Sequence, residues 1–157
     1  MSLGSRPVTA VRAAFLAILL GVASAAPAWA VETITARDAH AAAGDGSAVL
    51  IDIRTPEEWR EGVPAGAALV SMHGPGFLDE LDRLTGGDRD RPIALICATG
   101  GRSAWLAGQL EARGYTSVLD VAEGMHGSRA GRGWLASGLP VERPAPSGRP
   151  DPGVPSD

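Results

Sequence analysis

Pro92-Ile93-Ala94-Leu95-Ile96-Cys97-Ala98-Thr99-Gly100-Gly101-Arg102-Ser103 is the stretch around which the rest of this 157-residue chain organises. Its first half is an unbroken apolar run with β-branched residues, the pattern of a strand buried on both faces. The run leads straight into the chain's one cysteine. Beyond the two glycines, Ser103 to Arg113 reads as a helix. Leu106 and Leu110 stand one turn apart, Arg113 falls in the last turn and Gly114 follows as a stop. The order is strand, glycine-rich turn, helix.

The same order repeats on either side. Upstream, Thr35 is a plausible N-cap for a helix over 36–43 that Gly44 ends, and Ala48 to Ile53 is a second buried strand. Thr55-Pro56-Glu57-Glu58 carries an N-cap, a proline at N1 and an acid at the capping-box position, so a short helix starts there. Gly62 and Pro64 soon interrupt it. Ala67 to Val70 is a weaker strand, and apolar residues at 77, 78, 81 and 84 mark a helical face that Gly86-Gly87-Asp88 closes. Downstream, Ser117 to Val121 is another strand, and a last helical piece falls between Met125 and Ser137. Strands alternating with short helices predict an α/β fold, with a mostly parallel central sheet and helices on both faces.

The two ends of the chain read differently. Arg6 and Arg12 precede an uncharged apolar run from Ala13 to Ala23, and Ala28-Trp29-Ala30 supplies a small-x-small cleavage site. That run is shorter than the roughly 20 residues a membrane span needs. Residues 1–30 are therefore expected to be a signal peptide, 31–142 the folded domain, and 143–157, with five prolines and no apolar periodicity, a disordered tail. The product would be periplasmic or secreted, with no stable membrane anchor.

Losing Arg6 and Arg12 leaves 12 of the 14 basic residues against 18 acids, a mature net charge of −6. That argues against nucleic acid or an anionic membrane surface as partner. A single cysteine cannot form an internal disulfide, so in an oxidising compartment the thiol must be buried or used.

The loop favours use. In open parallel sheets, ligands bind beyond the carboxyl ends of the strands, where Cys97 lies. Two glycines let successive N–H groups point to one centre, and the start of the next helix adds its positive dipole end. A cysteine held there has its thiolate stabilised. An inert buried cysteine is the ordinary case for this residue type, but it explains neither the Gly-Gly turn nor the arginine five positions on.

Cys97, Gly100, Arg102 and Ser103 make the pattern Cys-x-x-Gly-x-Arg-Ser, and here the chain resembles the rhodanese family. The likeness extends upstream to Asp52-Ile53-Arg54-Thr55-Pro56-Glu57-Glu58-Trp59. Downstream it takes in Glu123-Gly124-Met125 and Gly138-Leu139-Pro140-Val141, so it covers roughly 33–142. The resemblance implies an exported single-domain sulfurtransferase in which Cys97 takes a sulfane sulfur, becomes a persulfide and passes the sulfur on. It further implies Cys97 and Arg102 as catalytic residues and Ala98, Thr99, Gly100, Gly101 and Ser103 as the substrate-binding loop. Partners would be small sulfur donors and acceptors, or a thiol protein, with no cofactor and no metal. The chain departs from the family pattern in three places: Ala98 stands where many members have a basic residue, Gly62 to Ala67 lacks a histidine that the family often carries, and 126–133 is longer than the usual connection.

Other readings are weaker. A phosphatase of the related Cdc25 type has five residues between cysteine and arginine, whereas four intervene here, which suits one sulfur better than a phosphoryl group. A non-catalytic binding or sulfur-carrier module is the stronger alternative. His40, His73 and His126 have no ligand spacing. Glu57-Glu58 and Asp79-Glu80 read as helix starts or solvated faces. Asp52 and Arg54, at a strand end near the cysteine, would orient the loop or form a structural ion pair. Trp59, Trp105 and Trp134 are expected in the core or a pocket wall, and 126–133 either rims the pocket or is a flexible insertion.

The leader generates its own test. N-terminal sequencing of the exported protein should begin at Val31, and recovery of the full-length chain from membranes would contradict cleavage.

Overall fold

The computed structural model describes residues 31–144; the expected leader and almost all of the expected tail lie outside the described residues. In chain order the elements are β1 (Glu32–Ile34), α1 (Ala36–Asp45), β2 (Val49–Asp52), α2 (Pro56–Trp59), β3 (Val63–Pro64) and β4 (Ala68–Leu69). They continue with α3 (Phe77–Thr85), β5 (Ile93–Ile96), α4 (Gly101–Glu111), β6 (Val118–Val121), α5 (Gly133–Ala136) and β7 (Val141–Glu142).

Five strands form one parallel sheet in the order β1-β6-β5-β2-β4, and β3 pairs antiparallel with β7 in a separate ribbon. β5 is central and its four residues are fully buried. Ile93 and Leu95 face one layer, with Leu81 and Phe77 of α3 and Leu106, Ala107 and Leu110 of α4. Ala94 and Ile96 face the other, with Ala36 and Ala39 of α1 and Trp134 of α5. Helices cover both faces, as the alternation of elements requires. Each large side chain buried in these layers contributes about 1.5–3 kcal/mol.

Local capping explains where the helices begin. Thr35 and Asp38 cap α1 reciprocally, and Thr55 and Glu58 do the same for α2. α1 runs two residues past the expected stop, because Gly46 and not Gly44 takes the left-handed cap conformation. The short strands β1, β3 and β7 were not expected. Trp105 corrects another expectation: at 60 % exposure it lies on the outer side of α4.

Asp52 and Arg54 form an ion pair, exposed by only 0 % and 1 %. Residues 50 and 52 alternate with Ile51 and Ile53, so the pair lies on the α1–α5 face, opposite the layer that holds Cys97. The Arg54 fork bonds both Asp52 oxygens, then the carbonyls of Gly62 at 2.7 Å and Glu58 at 3.3 Å. It ties the end of β2 to the turn after α2. Arg54→Met would leave the Asp52 carboxylate buried and unpaired, and a loss of about 3–5 kcal/mol is expected. Urea unfolding measures it, and a change within about 0.5 kcal/mol would show the pair to be dispensable.

Candidate active site

Cys97 follows the last residue of β5, and its side chain is 1 % exposed. The chain then turns through Ala98 and Thr99 into Gly100, whose φ of 86° no L side chain adopts comfortably. α4 starts at Gly101, earlier than the sequence suggests, and no side chain caps it. Its first N–H groups are therefore left for another acceptor.

That acceptor is the sulfur. Burial pushes the Cys97 thiol up, but the Ser103 hydroxyl and the backbone N–H groups of Ser103, Thr99 and Arg102 outweigh it, and the net direction is down. Ser103 is itself buried, with Oγ 3.5 Å from Cys97 Sγ and donating to the Gly100 carbonyl at 3.0 Å.

The underside of the loop fixes the peptide units that follow Cys97 and Ala98, the second of which carries the Thr99 N–H. Met125 N–H donates to the Cys97 carbonyl and His126 N–H to the Ala98 carbonyl, both at 2.9 Å. With these carbonyls bonded away from the sulfur, the sulfur side is left to donors. Such close approach needs Gly124: a Cβ there would stand 2.5 Å from the Ala98 oxygen. The segment 126–133 is a tight turn closed by a Ser128–Gly131 bridge and held by Glu123, whose carboxylate accepts from Gly133 N–H at 3.2 Å. It abuts the loop from below through His126, while the side chains of His126, Arg129 and Arg132 are exposed.

Arg102 does not stand free. Its two terminal nitrogens donate to Glu58 at 2.9 and 2.6 Å, a bidentate pair between half-buried side chains. Glu58 raises the guanidinium further above its usual range, and the nearby Cys97 adds to this. In return Arg102 holds the Glu58 carboxyl at about 2. The same carboxylate caps α2 through Thr55 N–H at 3.0 Å. Glu58 was expected only as a helix start or solvated acid; it is also the partner of the loop arginine. The capping box was legible, but no local signal points to a partner 44 positions away.

Among the described residues no hydrogen bond or ion pair joins Asp52 or Arg54 to Cys97 or Arg102. They hold the backbone carbonyl of Glu58, and thereby the base from which Glu58 reaches the loop. An open cleft of about 470 Å³ lies beside the edge strand β4, between Leu69–Ser71 and Gly74–Phe77, and no residue of the Cys97 loop lines it.

A folded pKa depressed from 4.5 to about 2 means that the Glu58 clamp stabilises the fold above the unfolded value and is lost as pH falls through the folded one. Acid titration of the unfolding midpoint over that window should show a decline that Glu58→Gln flattens. Identical acid profiles would contradict a stabilising clamp.

Comparison with known proteins agrees with this geometry. The family model described as "Rhodanese-like domain" matches residues 35–130. The thiosulfate sulfurtransferase GlpE of Glaesserella parasuis is 33 % identical over 110 residues, covering 69 % of this chain and 91 % of that protein. The crystal structure of Rv0390 from M. tuberculosis superposes with a TM-score of 0.55 at 30 % identity, covering 72 % of this chain and 98 % of that one. A polysulfide-sulfur transferase homodimer from Wolinella succinogenes gives a TM-score of 0.52 at 25 % identity, covering 71 % and 78 %. With its parallel sheet, its cysteine loop and these relatives, the chain belongs to the rhodanese-like domain family and, at the level of that family, to the sulfurtransferases.

Proposed function

We propose that Cys97 carries a sulfane sulfur between a small donor and a nucleophilic acceptor. The thiolate attacks the outer sulfur of thiosulfate, a polysulfide or a persulfide. The donor's S–S bond breaks, and sulfite, a polysulfide one sulfur shorter or a thiolate leaves with the electron pair. A thiol or a cyanide-like anion then attacks the terminal sulfur of the Cys97 persulfide, and Cys97 returns as thiolate. The observation that carries this reading is the set of N–H groups and the Ser103 hydroxyl directed at the sulfur, which suit the anion before and after transfer. A pure binding module has no use for a stabilised thiolate.

Donor charge follows from Arg102. Its fork is taken up by Glu58, and Ala98 brings no charge to the loop. A dianionic donor therefore meets less positive charge than an unpaired arginine would offer, which favours singly charged organic persulfides over thiosulfate. The likenesses to a polysulfide-sulfur transferase and to a thiosulfate sulfurtransferase keep both of those donors within the class. The expected leader would put this chemistry in the periplasm or outside the cell, with small molecules or a thiol protein as partners.

Steady-state transfer to cyanide or to a thiol tests the proposal. Cys97→Ser should abolish turnover from every donor. Arg102→Ala should fold normally and lose roughly 10²-fold, the scale of one lost electrostatic stabiliser. Arg102→Lys should recover only part, because a point charge cannot reproduce the planar fork. A Cys97→Ser protein that still turns over would refute the proposal.

A further inference from the structure

The turn over residues 126–133 is tightly built for a segment that the sulfur chemistry does not use. Ser128 and Gly131 exchange backbone hydrogen bonds at 2.9 and 3.3 Å. Ser128 Oγ accepts from Ala130 N–H at 3.0 Å and donates to the Ala122 carbonyl at 2.8 Å. Glu123 accepts from Gly133 N–H and leaves no room for a side chain at Gly131. Ala122 in turn backs the sulfur loop, since a Cβ at Gly100 would run into its carbonyl. The turn is thus fixed to the loop through one intervening layer of backbone.

What it presents is charge. Arg129 at its tip and Arg132 behind the tip are both exposed. Arg37, Arg89 and Arg113 each donate to a carbonyl, and Arg60, Arg91 and Arg143 each have an acid as chain neighbour. Arg129 and Arg132 have neither: among the described residues no acceptor and no acid holds them. No acid occurs from Gly124 to Val141, in a chain whose net charge is −4. Of the acids nearby, Glu123 is turned to Gly133 N–H, Asp120 is buried in β6 and Glu111 stands at the far end of α4. Two cations held in place without counter-charge complement an anionic surface, and their fixed backbone lowers the entropy lost on binding.

The size of the partner follows from where the turn lies. With Ala122 between them, the backbone of Arg129 stands two layers behind Gly100, on the order of 10 Å at the spacing of adjacent chains. Sulfite or a free cysteine at the Cys97 sulfur cannot span that distance. An extended polypeptide covers it in about three residues. We propose that the 126–133 turn is a docking surface for a protein thiol whose aspartates or glutamates, about three to five residues from the reacting cysteine, meet Arg129 and Arg132. The assignment rests on the transfer reading for its purpose, and it makes the partner of that reaction an acidic polypeptide.

A test that needs no sulfane sulfur uses synthetic cysteine peptides capped as thiopyridyl disulfides, with either aspartates or serines at those flanking positions. The Cys97 thiolate attacks the peptide sulfur, the S–S bond to the cap breaks, and thiopyridine leaves with the electron pair. At low ionic strength the aspartate peptide should react about tenfold faster than the serine peptide, the scale of two exposed ion pairs. The two rates should converge at about 1 M salt, where charges are screened beyond roughly 3 Å. Replacing both arginines, Arg129→Glu with Arg132→Glu, should remove the preference while dithiodipyridine, a small neutral disulfide, still reacts at the parent's rate. If the peptides do not reach the buried sulfur, the anisotropy of dye-labelled peptides reads the same comparisons. Equal behaviour of the two peptides with the parent, or a preference that survives the double substitution, would overturn the proposal. A protein that shows the preference yet takes up no sulfane sulfur would remove the transfer reading and keep the docking surface.

Discussion

The carbonyls of Cys97 and Ala98 accept hydrogen bonds from the backbone of Met125 and His126. The second of those bonds turns the peptide unit that carries the Thr99 N–H, while the Arg102 and Ser103 N–H groups belong to the first turn of α4. A peptide unit whose oxygen is fixed to one side directs its N–H to the other. The glycines at 100 and 124 let the two segments come this close: a side chain at either position would run into backbone. The strand before the loop supplies the rigid base, since Ile93 to Ile96 are buried on both faces and leave Cys97 little freedom. The lowered pKa of a nearly inaccessible thiol is the consequence.

Arg102 would be expected to dominate the electrostatics of such a loop, yet Glu58 shares its charge. One carboxylate serves both the cap of α2 and the arginine of α4. Behind it, the buried pair of Asp52 and Arg54 fixes the α2 turn from the opposite face of the sheet. The sheet thus connects a structural ion pair on one side to a sulfur site on the other through a single glutamate. Charge near the sulfur is delivered more by oriented dipoles than by a free cation, which bears on the class of donor the site accepts.

What the sequence revealed depended on how local each signal was. β5 announced itself because every one of its residues is apolar, and α2 because Thr55, Pro56 and Glu58 satisfy capping rules within four positions. The strands β1, β3 and β7 gave no such signal: they are two or three residues long, Glu32, Thr33, Val141 and Glu142 are exposed, and β3 contains a proline. Cys97 and Arg102 stood out through the Gly-Gly turn and the helix start between strand and helix, and the roles of the loop residues came with the family resemblance. Glu58 could not be joined to Arg102, because that link is made in space between residues 44 positions apart. Trp105 misled because an aromatic residue on an amphipathic helix ordinarily faces the core, and here it faces outward.

The proposed chemistry passes through one atom, the sulfur of Cys97, in a chain that has no second cysteine to confuse the result. The most direct measurement is the intact mass of the protein after brief exposure to a polysulfide or a low-molecular-weight persulfide, followed by gel filtration. The account predicts a gain of one sulfur atom on Cys97 that an added thiol or cyanide removes. No gain from any sulfane donor, with the thiol still open to alkylation, would contradict it.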